Sequence, residues 1–114
     1  MTELTVARTI AADPASTALL LAGPGARELC PLPLDLRATP PVRTATAFET
    51  RFECRSGSRA VGRGRVELRG EYPGRTRATL TMTYDPCDVG EPHDVAEGFL
   101  RNLATAAEAR SSAA

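Results

Sequence analysis

The chain has 114 residues, 42% hydrophobic and 25% charged, and its fourteen basic and fourteen acidic residues cancel. That is enough for one domain spanning residues 1–114, whose core buries roughly 65% of the surface the unfolded chain exposes without help from disulfides or a structural metal. The neutral balance argues against nucleic acid or a membrane surface as a partner of the whole domain, and because every basic residue is arginine a lysine Schiff base and a P-loop lysine are excluded.

From Glu3 to Ile10 the residues are β-prone, with Leu4, Val6 and Ile10 on one parity, which predicts a first strand. Asp13-Pro14 reads as an N-cap followed by proline at the first helical position, opening a short apolar helix over Ala15 to Ala22 that Gly23-Pro24-Gly25 ends. Leu32, Leu34 and Leu36 alternate with Pro33, Asp35 and Arg37 as in a half-buried strand, with Pro33 suited to an edge, and Thr39-Pro40-Pro41 breaks it.

The stretch from Thr44 to Asp85 carries the clearest pattern. Even positions hold Phe48, Phe52, Cys54, Val66, Leu68, Tyr72, Ala78, Leu80, Met82 and Tyr84, while arginine, glutamate and threonine fill the odd ones. This is period 2 held over three antiparallel strands with one apolar and one solvated face. Turns fall at Ser56-Gly57-Ser58 and Pro73-Gly74. Directly opposed residues share a face, so each connection must have an odd residue count or contain a bulge, which disfavours a plain two-residue turn at Pro73-Gly74. A three-residue first loop would set Phe52 opposite Gly62 and Phe48 opposite Val66, an aromatic covering a glycine. Gly62, Gly64 and Gly70 all lie on the apolar parity and predict a strongly curved sheet. After a loop from Asp85 to Asp94, Val95, Phe99, Leu100, Leu103 and Ala107 form an apolar stripe on a helix spanning Pro92 to Arg110.

No apolar run reaches the ~18 to 20 residues of a membrane span, and Met1-Thr2-Glu3 lacks the basic start of a secretory signal. Three cysteines, Cys30, Cys54 and Cys87, are odd in number and without CxxC spacing, which suits free thiols. The expected location is therefore cytoplasmic.

The segments Val6-Ala7-Arg8-Thr9-Ile10-Ala11-Ala12-Asp13-Pro14, Gly64-Arg65-Val66-Glu67-Leu68, Thr79-Leu80-Thr81-Met82-Thr83-Tyr84 and Phe99-Leu100-Arg101-Asn102-Leu103 run in order along most of the chain. Together they resemble the START / polyketide-cyclase (SRPBCC) superfamily: its first strand and helix entry, its last hairpin and its C-terminal helix. The resemblance implies an α+β fold in which a curved antiparallel β-sheet grips a long C-terminal helix, the helix-grip arrangement, with one short helix after the first strand. Members usually have two helices and six strands after the first strand; one helix and about four strands are legible here, so a shortened member is implied.

By the same resemblance the inner face would bind a small apolar molecule, lined by Phe48, Phe52, Val66, Leu68, Leu80, Met82, Tyr84, Phe99 and Leu103. Close packing of these residues into an ordinary core accounts for the same pattern. Tyr84 is the inward residue with a polar tip that could orient a ligand. The loop from Asp85 to Asp94 gathers the only histidine, His93, with Cys87 and four carboxylates, which are metal or acid/base groups by type. Their spacing matches no zinc or protease motif, and a solvated acidic entry to a helix explains the same residues at lower cost. From Glu49 to Arg77, eight arginines face four glutamates on the solvated side of the sheet; an acidic partner or phosphate is one use, and cross-strand ion pairing is the plain alternative. No cofactor, metal or catalytic residue is assigned. The expected function is small hydrophobic-ligand binding without evident catalytic machinery. Two rivals stand beside it: a structural subunit forming a homo- or hetero-oligomer through its sheet, and a polyketide cyclase-like enzyme using Tyr84 or His93.

Overall fold

A computed structural model describes residues 2–23, 28–29, 35–87 and 89–112. In chain order these form β1 (Thr2–Ile10), α1 (Pro14–Ala22), β2 (Asp35–Ala38), β3 (Val42–Arg43), β4 (Ala47–Ser56), β5 (Arg59–Tyr72), β6 (Arg75–Tyr84) and α2 (Pro92–Ser112). All strand pairs are antiparallel, in the order β1-β6-β5-β4-β2, with β3 also pairing to β4. The curved sheet lies against α2, which packs over β1 and β6, while α1 packs against β4 and β5. The α+β helix-grip fold expected from the sequence is the fold observed.

Local chemistry explains the boundaries. The Asp13 side chain accepts from the Ser16 N–H at 3.0 Å and Pro14 opens α1, so the donors left free by the first helical turn find a partner where the sequence put an N-cap. Every residue of the expected α2 stripe is buried, joined by Ala96 and Ala104. Two side-chain bonds tie the helix down: Glu108 accepts from the Ala11 N–H at 3.1 Å, and the Asn102 Nδ2 donates to the Leu29 carbonyl at 2.9 Å. Of the expected Leu32-Leu34-Leu36 strand, Leu32 and Leu34 lie outside the described residues, as does Cys30; Leu36 is buried on β2. The Thr39-Pro40-Pro41 break is bridged rather than final, because β3 resumes at Val42 and pairs with the same strand. Among the described residues five strands therefore follow α1 where about four were legible.

The hairpins resolve the parity question by bulging. Ser56 pairs with Arg59 across Gly57-Ser58, and Tyr72 with Arg75 across Pro73-Gly74, so both are two-residue turns. Gly57 (φ 63°) and Gly74 (φ 78°) supply the left-handed backbone these turns need. The register then shifts between Cys54 and Arg55, and again between Gly70 and Tyr72, leaving Val61 and Glu71 as the extra residues of β5. This corrects the three-residue first loop and the register built on it. Phe52 opposes Gly64, Phe48 opposes Leu68, and Cys54 opposes Gly62. The aromatic does cover a glycine, one pair further along the strand. Bulging also turns Val61, at an odd position, into the core.

Candidate functional site

The register stacks the inward side chains in rows that cross the sheet. Phe48, Leu68 and Ala78 form one row; Thr50, Val66, Leu80 and Val6 the next; Phe52, Gly64, Met82 and Leu4 a third; Cys54, Gly62 and Tyr84 a fourth. The nine residues expected on the inner face are thus brought together. Phe52, Val66, Leu68, Leu80, Met82, Tyr84, Phe99 and Leu103 belong to one buried cluster, and Phe48 packs half-buried against it. Phe52 and Phe99 meet across the gap between sheet and helix, with ring centroids 6.3 Å apart and planes inclined by 18°. An offset stack of this kind adds roughly 0.5–1.5 kcal/mol to the burial of the rings.

A pocket of about 190 Å³ opens at the end of this face, lined by Pro14 of α1, residues 43–48, Leu68 and Gly70. The Arg43 guanidinium stands 6.0 Å from the centroid of the Phe48 ring, a cation–π contact at the pocket's rim. Phe48 and Leu68 separate the pocket from the row that holds Thr50 and Val66. Thr50 is the residue that pattern reading passed over, although its even number on an apolar face was a signal.

Three threonines are buried: Thr17, Thr50 and Thr76. The Thr76 hydroxyl donates to the Ala12 carbonyl at 2.7 Å and the Thr17 hydroxyl to the Asp13 carbonyl at 2.9 Å. Thr50, 2% exposed, has a buried hydroxyl with no hydrogen-bond partner among the described residues. Leaving such a group unsatisfied costs about 1–3 kcal/mol, an expense usually met by water or a ligand.

The other candidates separate. Cys87 and His93 are both exposed, and no hydrogen bond joins them. Among the described residues no group of three or more histidines, cysteines or carboxylates is placed to hold a metal ion. The Cys87 N–H donates to Asp85 Oδ1 at 2.9 Å; this bond, and more weakly the Cys87 side chain and Arg59, hold the exposed Asp85 carboxyl below the ordinary aspartate range. The loop behaves as a hydrogen-bonded entry to α2. Cys54 is buried and forms no disulfide among the described residues. No helix among the described residues is long and apolar enough to cross a membrane.

No protein-family model and no curated protein matches the sequence. Solved structures share its fold. A conserved protein from Geobacillus kaustophilus superposes with a TM-score of 0.65 at 10% identity, over 94% of this chain and 95% of the other. A protein from Thermus thermophilus gives 0.58 at 15% identity, over 96% and 99%. An aromatase/cyclase named Zhui, from a Streptomyces species, gives 0.59 at 14% identity, over 96% and 95%. At such identities the likeness is one of fold, and it defines the chain as a helix-grip protein that has an aromatase/cyclase among its structural neighbours.

Proposed function

We propose that this protein is a ligand-binding domain of START / polyketide-cyclase type that takes a small, mostly apolar molecule bearing one polar group, on the inner face between α1 and the β4–β5 half of the sheet. The observation that carries the reading is the orphan hydroxyl of Thr50, flanked along β4 by Phe48 and Phe52 and one row in from the pocket behind Pro14. A hydroxyl or carbonyl on the ligand would supply the missing partner, while the two rings and Val66 would take its apolar body. Entry would require Phe48, the half-buried member of the set, to swing aside. Binding is favoured over catalysis because, among the described residues, the groups with a polar tip reaching this core are threonines, Tyr84 and the Cys54 thiol, with no carboxylate, histidine or arginine beside them to act as acid or base.

The test has two parts. Native mass spectrometry of protein purified from its own host should show a copurified small molecule. Titration with 2-naphthol, an apolar bicycle with one hydroxyl, should saturate, and Thr50→Val should weaken it about tenfold through the lost hydrogen bond. Absence of added mass together with unsaturable naphthol binding would refute the proposal. A second reading rests on a separate observation: among the described residues β1 is an edge strand paired on one side only, so a second copy could extend the sheet there. Solution mass decides it, since a monomer across the micromolar range removes that reading.

A further inference from the structure

The solvent face of the sheet carries a charge arrangement that ligand binding on the inner face leaves unused. The register sets Arg51 of β4 directly against Arg65 of β5, with Thr81 of β6 next in the row. The adjoining row runs from Glu53 of β4, which Arg55 pairs along its own strand, through Arg63 of β5 and Thr83 of β6 to Glu3 of β1. Directly opposed side chains in an antiparallel pair leave Cβ atoms only about 4.5–5.5 Å apart, so the Arg51 and Arg65 guanidiniums repel one another. The neighbouring carboxylates are engaged along their own strands: Glu49 by Arg51 at 3.3 Å, Glu53 by Arg55 at 2.7 Å, and Glu67 by Arg69 at 3.3 Å. That leaves Arg63 and Arg65 with no ion pair or hydrogen bond among the described residues.

Between these side chains the surface is hollowed into an open depression of about 530 Å³, lined by Arg51, Arg63, Arg65, Thr81, Thr83 and Glu3 over Phe52 and Gly64. We infer that this depression is an anion site for a phosphate-bearing small molecule, gripped by Arg51, Arg63 and Arg65 with the Thr81 and Thr83 hydroxyls as further donors. Guanidinium forks match phosphate oxygens, and a phosphate presents oxygens to donors on three sides where a carboxylate presents two. An anion seated between Arg51 and Arg65 turns their repulsion into a shared attraction. The one aromatic in the lining, Phe52, is 8% exposed and stacked on Phe99, so no ring is free to stack a nucleobase. That favours a phosphorylated small molecule over a nucleic-acid strand. Glu3 at the rim opposes the anion and limits its affinity.

The full chain titrated with inorganic pyrophosphate at low ionic strength should show one saturable site by calorimetry, with the Nε signals of Arg63 and Arg65 shifting together in nitrogen–proton spectra. Arg63→Gln and Arg65→Gln should each weaken binding about tenfold, the loss of one charge-assisted contact, and Glu3→Gln should tighten it. Because Arg65→Gln also removes the repulsion with Arg51, its melting temperature without ligand should match or exceed the wild type, which separates lost binding from lost folding. Unsaturable shifts spread equally over Arg75 and Arg77, or binding indifferent to both Gln variants, would overturn the inference. Tighter binding of a single-stranded oligonucleotide than of pyrophosphate would overturn it in favour of a nucleic-acid surface.

Discussion

Replacing Gly64 by alanine probes the tightest point in the sheet. A Cβ there would lie 2.1 Å from the Thr81 carbonyl oxygen, 2.8 Å from the Phe52 Cζ and 3.0 Å from the Met82 Cα. The Phe52 ring can rotate away, but the other two contacts are backbone of the adjacent strand, and relief requires β5 and β6 to part in the middle of the sheet. Overpacking a core costs typically about 1–3 kcal/mol, and a backbone clash belongs at or above the top of that range. With an unfolding entropy of about 2.1 cal/mol/K per residue, a 114-residue domain loses about 12 °C of melting temperature for about 3 kcal/mol. Gly62→Ala is the control, on the same strand and face. Its Cβ meets the Met82 Sδ and the Thr83 carbonyl oxygen at 3.6 Å, which is ordinary contact. Melting followed by circular dichroism should give a drop of about 12 °C for Gly64→Ala and a few degrees at most for Gly62→Ala. Adding Phe52→Ala to Gly64→Ala should not restore stability, since the Thr81 carbonyl remains. Equal melting of the two single variants, or a larger loss at Gly62, would mean that the register is wrong.

Other substitutions test the threonines, the rings and the loop. Thr50→Val removes an unpartnered hydroxyl and should raise stability of the unliganded protein by about 1 kcal/mol in chemical denaturation, whereas Thr76→Val strands the Ala12 carbonyl and should lower it by about 1–3 kcal/mol. A loss at Thr50 as large as that at Thr76 would show that the Thr50 hydroxyl has a structural partner. Phe99→Ala takes one ring from the Phe52 stack and should cost about 3–5 kcal/mol, read from the urea midpoint at unchanged slope. Asp13→Ala removes the α1 cap and should cost about 1 kcal/mol, measured in the same way. The Asp85 carboxyl is held low by the Cys87 N–H, so that bond's contribution is present above the ordinary aspartate range and is lost as pH falls through the depressed folded value. Carbon-detected titration should place Asp85 below an unstructured aspartate and show the acid-side dependence removed in Asp85→Asn; an ordinary value would contradict the loop geometry.

Periodicity alone made much of this architecture legible. The parity of residues 48–84 assigned an inner and an outer face, because successive side chains of a strand must alternate, and the Val95 to Ala107 stripe gave α2 its buried side. The same constraint of parity demanded an odd loop or a bulge. Choosing between them was beyond a local pattern, since both satisfy it, and the two-residue turn with its bulge at Val61 moved Phe52 from Gly62 to Gly64. Strand β3 was illegible because two residues beyond a proline pair carry no period.

The candidate sites divide along the same line. Which residues face inward followed from composition and alternation, and so did the arginine excess on the wet side. Which hydroxyl lacks a partner depended on where α1 and Ala12 came to rest, far off in sequence from Thr50 and Thr76. The opposition of Arg51 to Arg65 depended on a shift in register at the bulge. Alternation is a property of a single strand and can be read from its letters; pairing belongs to two strands at once, and only the folded sheet decides it.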